Sequence, residues 1–132
     1  MTPELTILGW TLVLAFVQVL LPALARNRET GVAYNAGPRD AAGPPVGVVT
    51  GRLKRAQANL FETLPLFAVG LMIVHVTGRG SALTLWGSGI YLAARIIYLP
   101  LYAFGVPVVR SLAWTISVIG LALILFAILR PA

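Results

Sequence analysis

Four apolar runs, Leu5 to Ala25, about Gly51 to Thr77, Leu83 to Phe104 and Val108 to Leu129, leave this chain few ways to fold. A helix rises about 1.5 Å per residue, so about 20 residues cross the hydrocarbon of a bilayer, and each run reaches that length. Inside lipid every backbone N–H and C=O must be bonded within its own segment or a closed barrel, so runs of this length and hydropathy are helices. The expected fold is an all-α membrane protein, one domain over residues 1–132, built as a four-transmembrane-helix bundle. Composition agrees: 58% of residues are hydrophobic and 11% charged, with a mean hydropathy of +0.89, values foreign to a soluble domain. The first run also invites comparison with a cleavable leader ending at Ala23-Leu-Ala25. Its start carries Glu4 and no Lys or Arg, and its length exceeds the usual leader core, so it is expected to stay as a spanning helix.

Between the runs the chemistry changes. Residues 26–50 hold Arg26-Asn-Arg28-Glu29, then Asn35-Ala-Gly-Pro-Arg39-Asp40 and Gly43-Pro-Pro45, which reads as a polar loop outside the bilayer. Gly78-Arg-Gly-Ser81 and Gly105-Val-Pro107 are the two tight turns. Near the helix ends Arg26, Arg28, Arg39, Arg52, Lys54, Arg55 and Arg110 lie on one side of the membrane, and Arg79 and Arg130 on the other. The positive-inside rule puts the seven in the cytoplasm and both termini outside it. The net charge of +6 is therefore a topology signal and no footprint for nucleic acid, because the bases sit at membrane boundaries without interleaved exposed aromatics. There is no cysteine, which excludes disulfides, thiolate metal sites and a cysteine nucleophile. His75 stands alone without a second metal ligand and reads as structural; no metal is expected. Trp10, Trp86 and Trp114 read as lipid-facing or interfacial anchors.

The second run carries what a membrane helix normally avoids. Arg55, Asn59 and Glu62 recur at i, i+4, i+7 and share one helix face. An ionisable group at membrane depth is costly and marks a functional site by default. Arg95, Tyr98 and Tyr102 repeat the pattern on the third run, and Arg110 opens the fourth on the same side of the membrane. Two matched polar stripes together with Arg110 offer three guanidiniums, an amide, a carboxylate and two phenols, which suit a small, anionic, peptide-like ligand: Arg takes carboxylates, Glu62 an ammonium group, Asn59 an amide. The plain readings stay beside this one. Arg52 and Lys54 set topology by snorkelling, Asn59 glues helices together, and Glu62 with Arg95 forms a buried pair.

The run Arg55-Ala-Gln57-Ala-Asn59-Leu-Phe-Glu62-Thr-Leu-Pro65-Leu-Phe67, with the Gly-Pro-Pro that closes the first loop and the ordered series Arg95, Tyr98, Tyr102, Arg110, closely resembles the MAPEG superfamily, the membrane-associated proteins of eicosanoid and glutathione metabolism. The resemblance covers nearly the whole chain. It implies a homotrimer of four-helix bundles, in a bacterial inner membrane for a bacterial-type member, with glutathione as co-substrate held between neighbouring subunits. It implies a glutathione-dependent transferase or peroxidase that acts on lipophilic small-molecule electrophiles and stabilises the thiolate with an arginine. Carried over by position, Arg52, Arg55, Gln57, Asn59, Glu62, Arg95, Tyr98 and Tyr102 match the glutathione-binding residues. Arg110 matches the arginine that activates the sulfur, and Ser111 follows it as a serine does in one branch of the family. Thr63 departs from the tyrosine that several members place directly after the glutamate.

Two other classes remain open on the residues alone. A membrane protein can keep this fold and ligand site without turnover. A small four-helix multidrug-type transporter has a similar length, but its membrane glutamate lies in the first helix, and seven cationic residues against two is too lopsided for a chain that inserts both ways.

Overall fold

The computed structural model describes residues 1–41 and 43–131. Its elements are α1 (Pro3–Thr30), α2 (Val32–Ala36), α3 (Val48–Thr77), α4 (Ala82–Ala103) and α5 (Pro107–Leu129), with no strand among the described residues. Four of them, α1, α3, α4 and α5, are long and apolar enough to cross a membrane.

Each long helix starts and stops on local chemistry. Thr2 caps α1 by accepting from the Leu5 amide at 3.3 Å, with Pro3 in the first turn, where its missing N–H costs nothing. Gly78, at φ 64°, ends α3 and lets the Arg79 amide reach back to the Val74 carbonyl at 3.0 Å. Ser81 and Thr84 form a reciprocal capping box at the start of α4. Gly105, at φ 73°, makes the turn into α5, which opens on Pro107. Pro22, Pro65 and Pro100 lie inside helices that continue past them.

The first loop is more ordered than its turn residues suggest. The first helix runs on past the expected end at Ala25 to Thr30, the short α2 follows, and α3 begins at Val48, ahead of the expected Gly51. Side chains of the polar segment supply the reason. Arg26 Nη2 donates to the Pro44 carbonyl at 2.6 Å and pairs with Glu29 at 3.1 Å, while Glu29 accepts from the Gly47 amide at 2.8 Å, at the N-terminus of α3. The expected loop of residues 26–50 also contains Ala42, which lies outside the described residues.

The bundle packs around Leu60, Phe67, Leu71, Tyr91, Leu121 and Ile124. A smaller cluster of Ala56, Tyr98 and Ala113 packs nearer the start of α3 and the end of α4. The closest approach joins α4 to α5. A Cβ at Gly87 would lie 2.7 Å from the Gly120 carbonyl oxygen, and one at Gly120 would lie 2.6 Å from the Gly87 oxygen, so only glycines fit both places. Small residues at a crossing are what allows membrane helices to touch backbone to backbone. Outward, Trp10, Phe16, Trp86, Ile97 and Phe126 stand exposed, an apolar surface that belongs against lipid or another copy.

Candidate functional site

The Gly87–Gly120 contact sets α4 against α5, and with α3 they enclose a cleft of about 610 Å³ towards the end of the bundle that holds the turn between α4 and α5. From α3 come Arg55, Ala58, Asn59 and Glu62, from α4 Tyr98 and Tyr102, and from α5 Arg110, Ser111, Trp114 and Thr115. The first stripe, Tyr98 and Tyr102 of the second and the start of the last run therefore share one space, within the range of volumes typical of ligand pockets.

Its walls are braced by aromatic and polar contacts. The Arg55 Nε donates to the Tyr102 hydroxyl at 3.1 Å. The Arg110 guanidinium lies 4.6 Å from the centroid of the same ring, so one tyrosine steadies two cations. Tyr98 and Tyr102 meet edge to face with centroids 5.5 Å apart. Ser111 donates back to the Pro107 carbonyl at 3.2 Å, which leaves its oxygen lone pairs to the cleft. Glu62 is exposed on this wall and has neither a hydrogen bond nor an ion pair among the described residues. At the mouth, a smaller pocket of about 240 Å³ is shared by Arg52, Arg55, Tyr102 and Arg110. Arg52 lies across Gly105, where a Cβ would stand 2.7 Å from its guanidinium carbon, and donates to the Ala103 carbonyl at 3.4 Å.

Two of the sequence-derived residues stand elsewhere. Arg95 is wholly buried behind the cleft wall: its Nη1 donates to Asn59 Oδ1 at 2.8 Å and its guanidinium lies 4.2 Å from the Tyr98 ring centroid. It therefore shapes the wall through Asn59 and Tyr98 and does not line the cleft. Gln57 faces away, into a second cleft of about 330 Å³ with Arg26, Asn27, Asn35, Arg39 and Lys54. Residues two apart on a helix point to nearly opposite sides, so Gln57 cannot share the face of Arg55 and Asn59.

Other residues were missed or misread in the sequence. Trp114, read as an anchor, lines the cleft, as does Thr115; they follow Arg110 and Ser111 at i+4, the spacing that would have revealed them. Thr63 takes up a structural bond, 2.7 Å from the hydroxyl of Tyr91, whose ring stacks on Phe67 with centroids 4.1 Å apart. Glu4 is buried at the opposite end, where it accepts from Thr84 Oγ1 at 2.8 Å and ties α1 to α4.

Residues 7–130 match the family model of the MAPEG family, which spans nearly the whole chain. The chain belongs to the MAPEG family. No curated protein and no solved structure matches it. The MAPEG family includes glutathione transferases and peroxidases, and its use of glutathione gives the cleft a ligand to be tested against. The donor set fits that ligand in kind. Glutathione carries two carboxylates and one ammonium group, and the cleft and its mouth offer Arg55, Arg110 and Arg52 with the single carboxylate of Glu62.

Proposed function

We propose that this MAPEG protein is a glutathione-dependent membrane transferase or peroxidase acting on lipophilic electrophiles. The observation that carries the reading is the convergence of Arg55, Asn59 and Glu62 with Tyr98, Tyr102 and Arg110 on one cleft. In this reading Arg55 and Arg52 hold carboxylates, Glu62 takes the ammonium group and the Asn59 amide bonds a peptide group. Arg110 stands beside the sulfur and Ser111 next to it. The work of the site is electrostatic. A free thiol with a pKa of about 8.5 is only a few per cent ionised at neutral pH, and the thiolate is the nucleophile. A guanidinium keeps its charge at any working pH, so held against the sulfur it favours the anion without acting as a base. The thiol proton leaves to solvent. In transfer the thiolate forms a C–S bond as the electrophile's leaving group departs. In peroxide reduction it attacks the O–O bond, the alcohol departs, and a second glutathione converts the resulting sulfenic acid to the disulfide and water. Trp114 and the apolar lips of the cleft, open to lipid, suit a hydrophobic second substrate.

The same reading makes the protein a homotrimer in a bacterial inner membrane with both termini on the non-cytoplasmic side. Gln57 supports the assembly. If it binds glutathione at all, it does so for a neighbouring copy, because it lies on the far side of α3 from its own cleft.

The test is conjugation of glutathione to chlorodinitrobenzene by detergent-purified protein, together with the ultraviolet absorbance of the thiolate on mixing. Wild-type protein is expected to turn over and to form thiolate at pH 7. Arg110→Ala should abolish the absorbance and cut turnover far more than glutathione affinity: lowering the thiol pKa by about two units corresponds to roughly 2.7 kcal/mol. If Arg110→Ala kept both rate and absorbance, Arg110 would not activate the sulfur. If wild type bound glutathione without turnover against any electrophile, the protein would be a binding member of the family.

A further inference from the structure

Four buried side-chain atoms have no hydrogen-bond partner among the described residues: both amide atoms of Gln18, and Nε and Nη2 of Arg95. Gln18 is 1% exposed and Arg95 0%. An orphaned buried amide costs one to a few kcal/mol, roughly, and an orphaned guanidinium edge more. Two such defects in one small bundle call for a common explanation.

Two hydrogen bonds and one shared pocket wall put them within about one turn of the same depth. Glu4 on α1 bonds Thr84 on α4, so counting residue for residue along these two parallel helices brings Gln18 level with Tyr98, one turn from Arg95. On the other side, the second cleft is walled by Val19 and Pro22 of α1 and by Lys54 and Gln57 of the antiparallel α3, which sets Gln18 opposite the turn holding Asn59. Asn59 and Arg95 are themselves bonded across α3 and α4 at 2.8 Å. Gln18 also lies on the inward stripe of α1, Glu4, Leu8, Thr11, Ala15, Gln18 and Pro22. The unmatched groups are complementary: a guanidinium edge that can only donate, and an amide that both accepts and donates. They make no direct bond, and polar groups separated by more than a hydrogen bond are commonly joined by a water with two to four polar partners.

We propose that Gln18 is a positioning residue for the glutathione cleft, sharing one internal water with Arg95 and so fixing the guanidinium that orients the Asn59 amide. The chain runs from Gln18 through the water to Arg95 and on to Asn59, the only one of the three on the cleft wall. It rests on the reading of that cleft as a glutathione site. Gln18 touches no substrate; it acts by keeping Arg95 from turning away from Asn59.

The test is calorimetric titration of glutathione into wild type, Gln18→Leu, Gln18→Glu, Asn59→Ala and the Gln18→Leu/Asn59→Ala double variant, with thermal melts of each. Gln18→Leu should raise Kd about tenfold, the loss expected for one bond to a charged group. Gln18→Glu should stay within about twofold of wild type, because a carboxylate also serves Arg95. In the Asn59→Ala background Gln18→Leu should add less than about twofold, since the link it maintains is already cut. An unchanged Kd for Gln18→Leu, or a full tenfold loss in the Asn59→Ala background, overturns the proposal. If Gln18→Leu gives no folded protein, Gln18→Ala takes its place with the same expectations. Should wild type bind no glutathione, the cleft reading fails first. The melting temperatures of a Gln18→Leu and Arg95→Leu cycle then decide separately, with coupling supporting the shared water and strict additivity overturning it.

Discussion

Gly120→Ala tests whether the α4–α5 crossing shapes the cleft. The new methyl would lie 2.6 Å from the Gly87 carbonyl oxygen and 2.8 Å from the Tyr91 amide nitrogen, both backbone atoms that no side-chain rotation can move. Restoring an ordinary contact of 3.4 Å requires the helices to part by about 0.8 Å at that level. Overpacking of this kind costs about 1–3 kcal/mol, while replacing a helical glycine by alanine returns about 1 kcal/mol of propensity. The net expectation is a destabilisation of about 0–2 kcal/mol. Gly89→Ala is the control on the facing helix α4: nothing lies within 4 Å of its new methyl, so it should stabilise by about 0.5–1 kcal/mol. Thermal melts in one detergent should therefore place the two variants several degrees apart, with wild type between them. Glutathione affinity should fall in Gly120→Ala alone, because the parting helices carry Tyr98 and Tyr102 away from Arg110 and Ser111. A Gly120→Ala protein as stable as Gly89→Ala, with unchanged affinity, would refute the close crossing and its role in shaping the site.

Two further outcomes bear on placement and assembly. An alkaline-phosphatase reporter fused after Ala132 should be active and one inserted at Ala41 inactive, as the charge asymmetry requires; the reverse pattern would move the cleft to the other face of the membrane. Native mass spectrometry in mild detergent should show a trimer, and Glu62→Gln should weaken glutathione binding by about 2–5 kcal/mol, as loss of a charge partner does once ligand and neighbour have covered it. A monomer that binds glutathione with wild-type affinity would sink the inter-subunit site.

Periodicity made most of this molecule legible. Apolar length alone required four spanning helices, and the spacing of Arg55, Asn59 and Glu62 placed them on one face, where the structure has them. Faces are angular information; depth and distance are not in the sequence. Arg95 shares the face of Tyr98, yet lies wholly behind the wall because its long side chain turns to Asn59 across the helix pair. Glycine pairs are equally silent, since nothing marks Gly87 and Gly120 among the chain's 13 glycines until the two helices are brought together. The extension of α1 to Thr30 was hidden because the bonds that hold it, Arg26 to Pro44 and Glu29 to Gly47, join residues far apart in sequence.

The two-faced character of α3 bears directly on how copies would assemble. Asn59 and Glu62 look into one cleft and Gln57 into another, with Arg26 and Lys54 beside it. If one glutathione is held by both sets, each copy must present the face of its first cleft to the second cleft of its neighbour. Such a contact joins unlike surfaces, which closes only as a ring; a two-fold dimer would instead set Gln57 against Gln57. Exposed Glu62 gains from the same arrangement, because a carboxylate bare on a spanning helix is costly and a neighbour with its ligand covers it. On that arrangement the site chemistry and the assembly depend on each other: a variant that breaks the ring should lose glutathione, and saturating glutathione should hold the ring together, by an increment that grows with the logarithm of its concentration.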